Sequence, residues 1–142
     1  MAVRVAIKGI GEVQKRLERI KDISPELIKA VNLSTAMVSS RAKARAPVDK
    51  GTLRNSIHAR PASVIDKKVI GIVYTALEYA PYVEFGTGRR GGYPYDTNVD
   101  LSYSQTIAGQ VAQPFMYPAL LESEADINEK LRTAVIEAAT RR

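Results

Sequence analysis

The sequence predicts an α+β domain: a small antiparallel sheet packed against two or three helices, with a long loop before the C-terminal helix. Three observations support this. Val69-Ile70-Gly71-Ile72-Val73-Tyr74 is β-branched almost throughout, as a strand requires. Apolar residues recur at three-and-four spacing after Pro25 and again after Pro118, the period of helices with a buried face. The resulting order, β-α-α-β-β-loop-α, belongs to an α+β arrangement.

Val3, Val5 and Ile7 alternate with Arg4, Ala6 and Lys8, which predicts a short half-buried strand broken by Gly9 and Gly11. Val13, Leu17 and Ile20 then place one apolar stripe on a short helix. Ser24 is the expected N-cap of a longer helix, with Pro25 at its first position, where a missing N–H does no harm. Its stripe is Ile28, Val31, Thr35, Val38 and Ala42, and Pro47 ends it by disfavouring the helical conformation at Ala46. Val48-Asp49-Lys50-Gly51 reads as a turn that uses the backbone freedom of Gly51. Residues 56–62 and 68–74 are expected to be strands, joined by residues 63–67. Tyr79 to Phe85 suggests one helical turn. Residues 88–113, with four glycines, Pro94 and several polar residues, form a loop long enough to suggest a function. Pro114 and Pro118 lead into the last helix, whose stripe is Leu120, Ile127, Leu131, Ala134, Val135 and Ala138.

One domain is expected over residues 1–142, since this length can bury about two-thirds of its unfolded surface. No run approaches the ~20 apolar residues of a membrane span, and the N-terminus lacks a signal-peptide core, so folding in the cytoplasm is expected. The absence of cysteine excludes disulfides, thiolate nucleophiles and zinc–cysteine sites. Charge is uneven: residues 1–60 carry 13 Lys/Arg against 5 Asp/Glu, whereas residues 61–142 carry 8 against 10. Two solvated helices with basic outer faces account for this most simply; contact with nucleic acid, with an acidic protein, or with the acidic half of a neighbouring copy are the functional readings.

No catalytic residue, cofactor site or metal site is expected. His58 is the only histidine and lies in a strand between Ile57 and Ala59. Asp96, Asn98 and Asp100 have alternating acid spacing but lack the glycine and distal Glu of a calcium loop. Glu78 and Glu84 flank Tyr79 and Tyr82 and offer two carboxylates for a small hydrolase, although local apolar density favours packing. The run from Gly86 to Gly92 lacks the Gly-Lys-Ser/Thr ending of a phosphate loop. Arg41, Lys43, Arg45, Lys50 and Arg54 gather near a helix end and are candidate DNA-facing residues for nonspecific phosphate contact.

Three ordered segments are more specific: Ala46-Pro-Val-Asp-Lys-Gly-Thr-Leu-Arg-Asn-Ser-Ile57, Tyr79-Ala-Pro-Tyr-Val-Glu-Phe-Gly-Thr87 and Gln113-Pro-Phe-Met-Tyr-Pro-Ala-Leu120. Set between a basic helix and a C-terminal helix, they resemble a family of tailed-phage head–tail joining proteins, also known as tail components, tail-completion or neck proteins. Lys50 stands where that family usually has Thr, Met116-Tyr117 where Leu and a basic residue are common, and the 88–112 loop is long for it.

The resemblance implies a noncatalytic virion protein, assembled in the host cytoplasm. It would oligomerise as a ring, a hexamer among the sizes left open, at the head-proximal end of the tail. Its partners would be copies of itself, the head connector and tail-tube proteins, with DNA passing transiently through a lumen and no membrane involved. The alternative is a nonspecific DNA-binding accessory protein. The matched residues Pro47, Asp49, Gly51, Leu53, Ser56, Ile57, Tyr79, Tyr82, Val83, Glu84, Phe85, Gly86, Thr87, Pro114, Phe115 and Pro118 are expected to serve the fold. Tyr79, Tyr82, Val83 and Phe85 would complete the core under the sheet. Arg89, Arg90, Tyr93, Tyr95, Leu101 and Tyr103 are the candidate interface, because a tyrosine-rich loop suits protein contact. That loop is expected to be held by neighbouring copies or virion partners.

Overall fold

The β-branched run forms the middle strand of a three-stranded antiparallel sheet of order β1-β3-β2, comprising β1 (Ala2–Val5), β2 (Ile57–Ile65) and β3 (Lys68–Thr75). The computed structural model describes residues 2–5, 25–96 and 100–140. The short helix expected around Val13 to Ile20 and the Ser24 cap lie outside the described residues. Helix α1 (Pro25–Arg45), the single turn α2 (Thr52–Asn55), α3 (Ala80–Phe85), a 3-10 turn (Gly88–Arg90) and α4 (Met116–Thr140) complete the order.

Gly71, Val73 and Thr75 of β3 are buried and alternate with half-buried Ile70, Ile72 and Tyr74, so one face of the sheet is covered. The cover is α1, which packs on β2 and β3 with one side and on α4 with another. Gly71 permits the close approach: a Cβ there would run into the Thr35 side chain and come within 2.9 Å of Val31 Cγ1. Because α1 is sandwiched, the single expected stripe is only part of its buried surface. Ala30, Ser34, Thr35, Val38, Ser39 and Ala42 are all buried, over more than one face. The hydroxyls of Ser34 and Thr35 donate to the carbonyls of Ala30 and Asn32, at 2.8 and 3.0 Å, so small polar residues enter the interior already paired. The core between the layers includes Val38, Leu53, Ile57, Val73, Phe115, Met116, Ile127 and Leu131.

The hairpin departs from expectation. Its connection is only Asp66-Lys67, both with positive φ (49° and 61°), and Ser63 to Ile65 belong to β2. Two left-handed residues match the twist of a tight hairpin. Pro61 lies inside the expected strand and is accommodated there: β2 is an edge strand and the register shifts between Arg60 and Ser63, so the missing N–H falls where no ladder bond is needed. The neighbouring Ala62 N–H donates to Asn32 Oδ1 on α1 at 2.7 Å.

Gly51 does adopt the left-handed conformation (φ 80°) expected of it, immediately before α2. That turn of helix places Leu53 in the core and delivers Ile57 to the start of β2. Asp49 is exposed and Pro47 half-buried in the connection. The last helix begins at Met116, before Pro118 rather than after it, since a first-turn proline is sterically allowed.

Candidate functional site

The four amides that open a helix have no intrahelical acceptor. At α4, nothing in Ala112-Gln113-Pro114-Phe115 supplies the Ser, Thr, Asp or Asn that usually caps. The acceptor comes from α3. Glu84 Oε2 accepts the Phe115 and Met116 N–H groups at 2.8 and 2.9 Å, and Oε1 accepts that of Tyr117 at 3.1 Å. The fourth position is Pro118, which has no N–H to satisfy. Glu84 is only 1% exposed, and its negative charge meets the positive end of the helix dipole. A further donor, the Tyr93 hydroxyl, reaches Oε1 at 2.9 Å, so each carboxylate oxygen accepts two bonds. The Gln113 N–H adds a bond to the Val83 carbonyl at 2.8 Å. The segment 79–87 and the segment 113–120 thus form one interlocked unit.

Glu84 is therefore committed to a cap rather than paired with Glu78, which is exposed. Tyr79 and Tyr82 are exposed by 44% and 58%, which corrects their expected place in the core; Val83 does pack against it and Phe85 is half-buried. They lie on the outer side of a short helix whose inner side is taken by Ala80 and Glu84.

The long loop is anchored by its own chain. Thr87 and Gln110 exchange both backbone bonds, at 2.9 and 3.0 Å, and close its neck at Gly86 and Thr87. Beyond it, the Tyr103 hydroxyl donates to the Phe85 carbonyl at 2.7 Å. Tyr93 packs edge-on against Phe85 and Tyr95, and Tyr95 against Tyr117. Burial and the adjacent Glu84 carboxylate raise the Tyr93 pKa above the ordinary phenol value. The candidate interface residues Tyr93, Tyr95 and Tyr103 thus turn inward onto α3 and α4, and Leu101 is half-buried. Their apolar character has an internal cause. Arg89 and Arg90 remain exposed.

The candidate DNA-facing cluster is also largely occupied within the chain. Arg41 forms an ion pair with Asp126 at 2.6 Å and donates to the Glu122 carbonyl and Ser123 Oγ. Arg45 pairs with Glu122, and Arg54 Nε donates to the Lys43 carbonyl in the last turn of α1 at 3.1 Å. Lys43 is half-buried and Lys50 exposed. The basic half of the sequence meets the acidic half inside one copy.

Asp96 and Asp100 are exposed, and among the described residues no group of three or more His, Cys, Asp or Glu is placed to hold a metal ion. His58 is exposed on β2, its ring 6.0 Å from that of the cross-strand Tyr74, over which Arg60 also lies. No helix among the described residues is long and apolar enough to cross a membrane.

A family model described as "Bacteriophage HK97-gp10, putative tail-component" matches residues 11–86, more than half of the chain, and that match defines the class as a phage tail component. The chain belongs to this HK97-gp10-like family. The match includes the first motif segment and the second as far as Gly86, and the Glu84 cap joins the third to them. No curated protein and no solved structure matches the chain.

Proposed function

We propose that this protein is a noncatalytic subunit of the phage head–tail junction, acting as one domain. It oligomerises as a ring at the head-proximal end of the tail, completes the tail and joins it to the head connector. The virion is its place of action and the host cytoplasm its place of assembly. The observation that carries this reading is the tail-component family match over residues 11–86. Support also comes from the geometry: Glu84, Arg41 and Arg45, three of the candidates for chemistry or phosphate contact, serve to hold α4 in place.

The test is a phage lacking this chain. The proposal expects DNA-filled heads and tube-length tails that accumulate separately, with joining restored by adding the purified chain. Normal virions without the chain would contradict it, as would tails that fail to elongate.

A further inference from the structure

With its tyrosines turned inward, the loop presents its neck to solvent. Ile107 and Val111 are exposed by 55% and 62%, beside exposed Tyr79, which precedes α3, Tyr82 of α3, and Arg89 and Arg90 of the 3-10 turn. Hydrogen bonds bring these three segments together. Gln110 Nε2 donates to the Tyr82 carbonyl at 2.8 Å, and the Arg89 and Arg90 N–H groups donate to the carbonyls of Ile107 and Ala108 at 3.0 Å. The patch is aromatic, aliphatic and arginine-bearing, the composition of interface hot spots. Its backbone is already fixed, which lowers the ordering cost of binding.

We propose that this neck patch docks onto the outer stripe of α4 of a second copy. On α4, Leu121, Ala125, Arg132 and Ile136 follow four-and-seven spacing on one exposed face; Leu121 and Ile136 are 41% and 48% exposed. Exposed Glu124 and Glu129 flank that stripe. Glu122 and Asp126 are held by the chain's own Arg45 and Arg41, whereas Glu124 and Glu129 face outward and match Arg89 and Arg90 in charge. Arg132 provides a cation that the exposed Tyr79 and Tyr82 rings can accept. The two surfaces are exposed on the same copy and differ from each other, so they meet only between copies, head to tail. A contact of that kind closes into a ring when its rotation allows. The inference rests on the ring proposed above and assigns its interface.

The chain has no native cysteine, so a Tyr82→Cys/Leu121→Cys variant reports this contact without background. Tails assembled with it and oxidised are expected to yield a ladder of disulfide-linked multimers, absent from either single variant beyond a dimer. Arg89→Glu/Arg90→Glu and Glu124→Lys/Glu129→Lys should each lower incorporation into tails at least ten-fold, and the fourfold combination should restore it. All six positions are exposed, and matching thermal transitions would exclude misfolding as the cause. An oligomer on tails that tolerates both reversals and gives no ladder overturns the interface but leaves the ring. Absence of any oligomer of the unaltered chain on tails overturns both.

Discussion

Helix α4 is held by charge at two places of very different character. At its start, one fully buried carboxylate accepts four hydrogen bonds. Along its flank, Arg41 and Arg45 reach Asp126 and Glu122 with side chains that are 35–46% exposed. Both connect distant parts of the sequence, yet their energetic weight differs. A buried acceptor removed from several donors leaves each of them without water or partner. Exposed ion pairs lose little when broken, because water and salt replace the partner. The comparison shows that the count of charged contacts matters less than which of them leave an orphaned group behind.

The largest effect is expected from Glu84→Ala. Three amides and a phenol would lose their acceptor, and stability should fall by roughly 3–5 kcal/mol in chemical denaturation. Equal stability of the variant and the parent would erase the distinction between the two sites. Gly71→Ala tests the sheet side of α1, where the added Cβ meets Thr35 and Val31; a loss of about 1–3 kcal/mol is expected, and a neutral result would mean that α1 is less closely seated.

Tyr93→Phe removes one of the four donors and should lower stability by about 1–2 kcal/mol. It also carries a pH signature. The folded chain favours the neutral phenol, so this contribution is complete below the ordinary value of 10.0 and declines as the pH rises beyond it. Denaturation midpoints taken across the alkaline range should fall less steeply for Tyr93→Phe than for the parent. The smallest effect belongs to the flank: a double-mutant cycle on Arg45 and Glu122 should give a coupling of about 0.2–1 kcal/mol that shrinks with added salt. A coupling above that of the buried site would invert the comparison.

Much of the fold was legible because its signals are local. The β-branched strand, the three-and-four spacing of α1 and α4, and the left-handed demand on Gly51 each lie within a few residues. The hairpin connection was read as residues 63–67, because nothing local marks Ser63 to Ile65 as paired; the strand resumes after a register shift and turns only at Asp66-Lys67. The site was less legible because its partners are far apart in sequence. Glu84 sits 31 residues from Phe115, so its motif position implied a role in the fold, or half of a catalytic pair, without showing which groups it holds. One signal was available: a helix start without a capping side chain, followed by Pro118, requires an acceptor from elsewhere. The loop tyrosines were assigned to a neighbour for a similar reason, since their partners Glu84 and Phe85 precede the loop.

Hydrogen exchange at the amides of Phe115, Met116 and Tyr117 tests the Glu84 cap most directly, because no intrahelical carbonyl can protect them. In the parent they should exchange as slowly as the amides of β3. In Glu84→Gln, whose amide retains one acceptor oxygen, their protection should drop selectively while β3 remains protected. Unchanged protection at all three would contradict the cap and, with it, the account of how the second and third motif segments are joined.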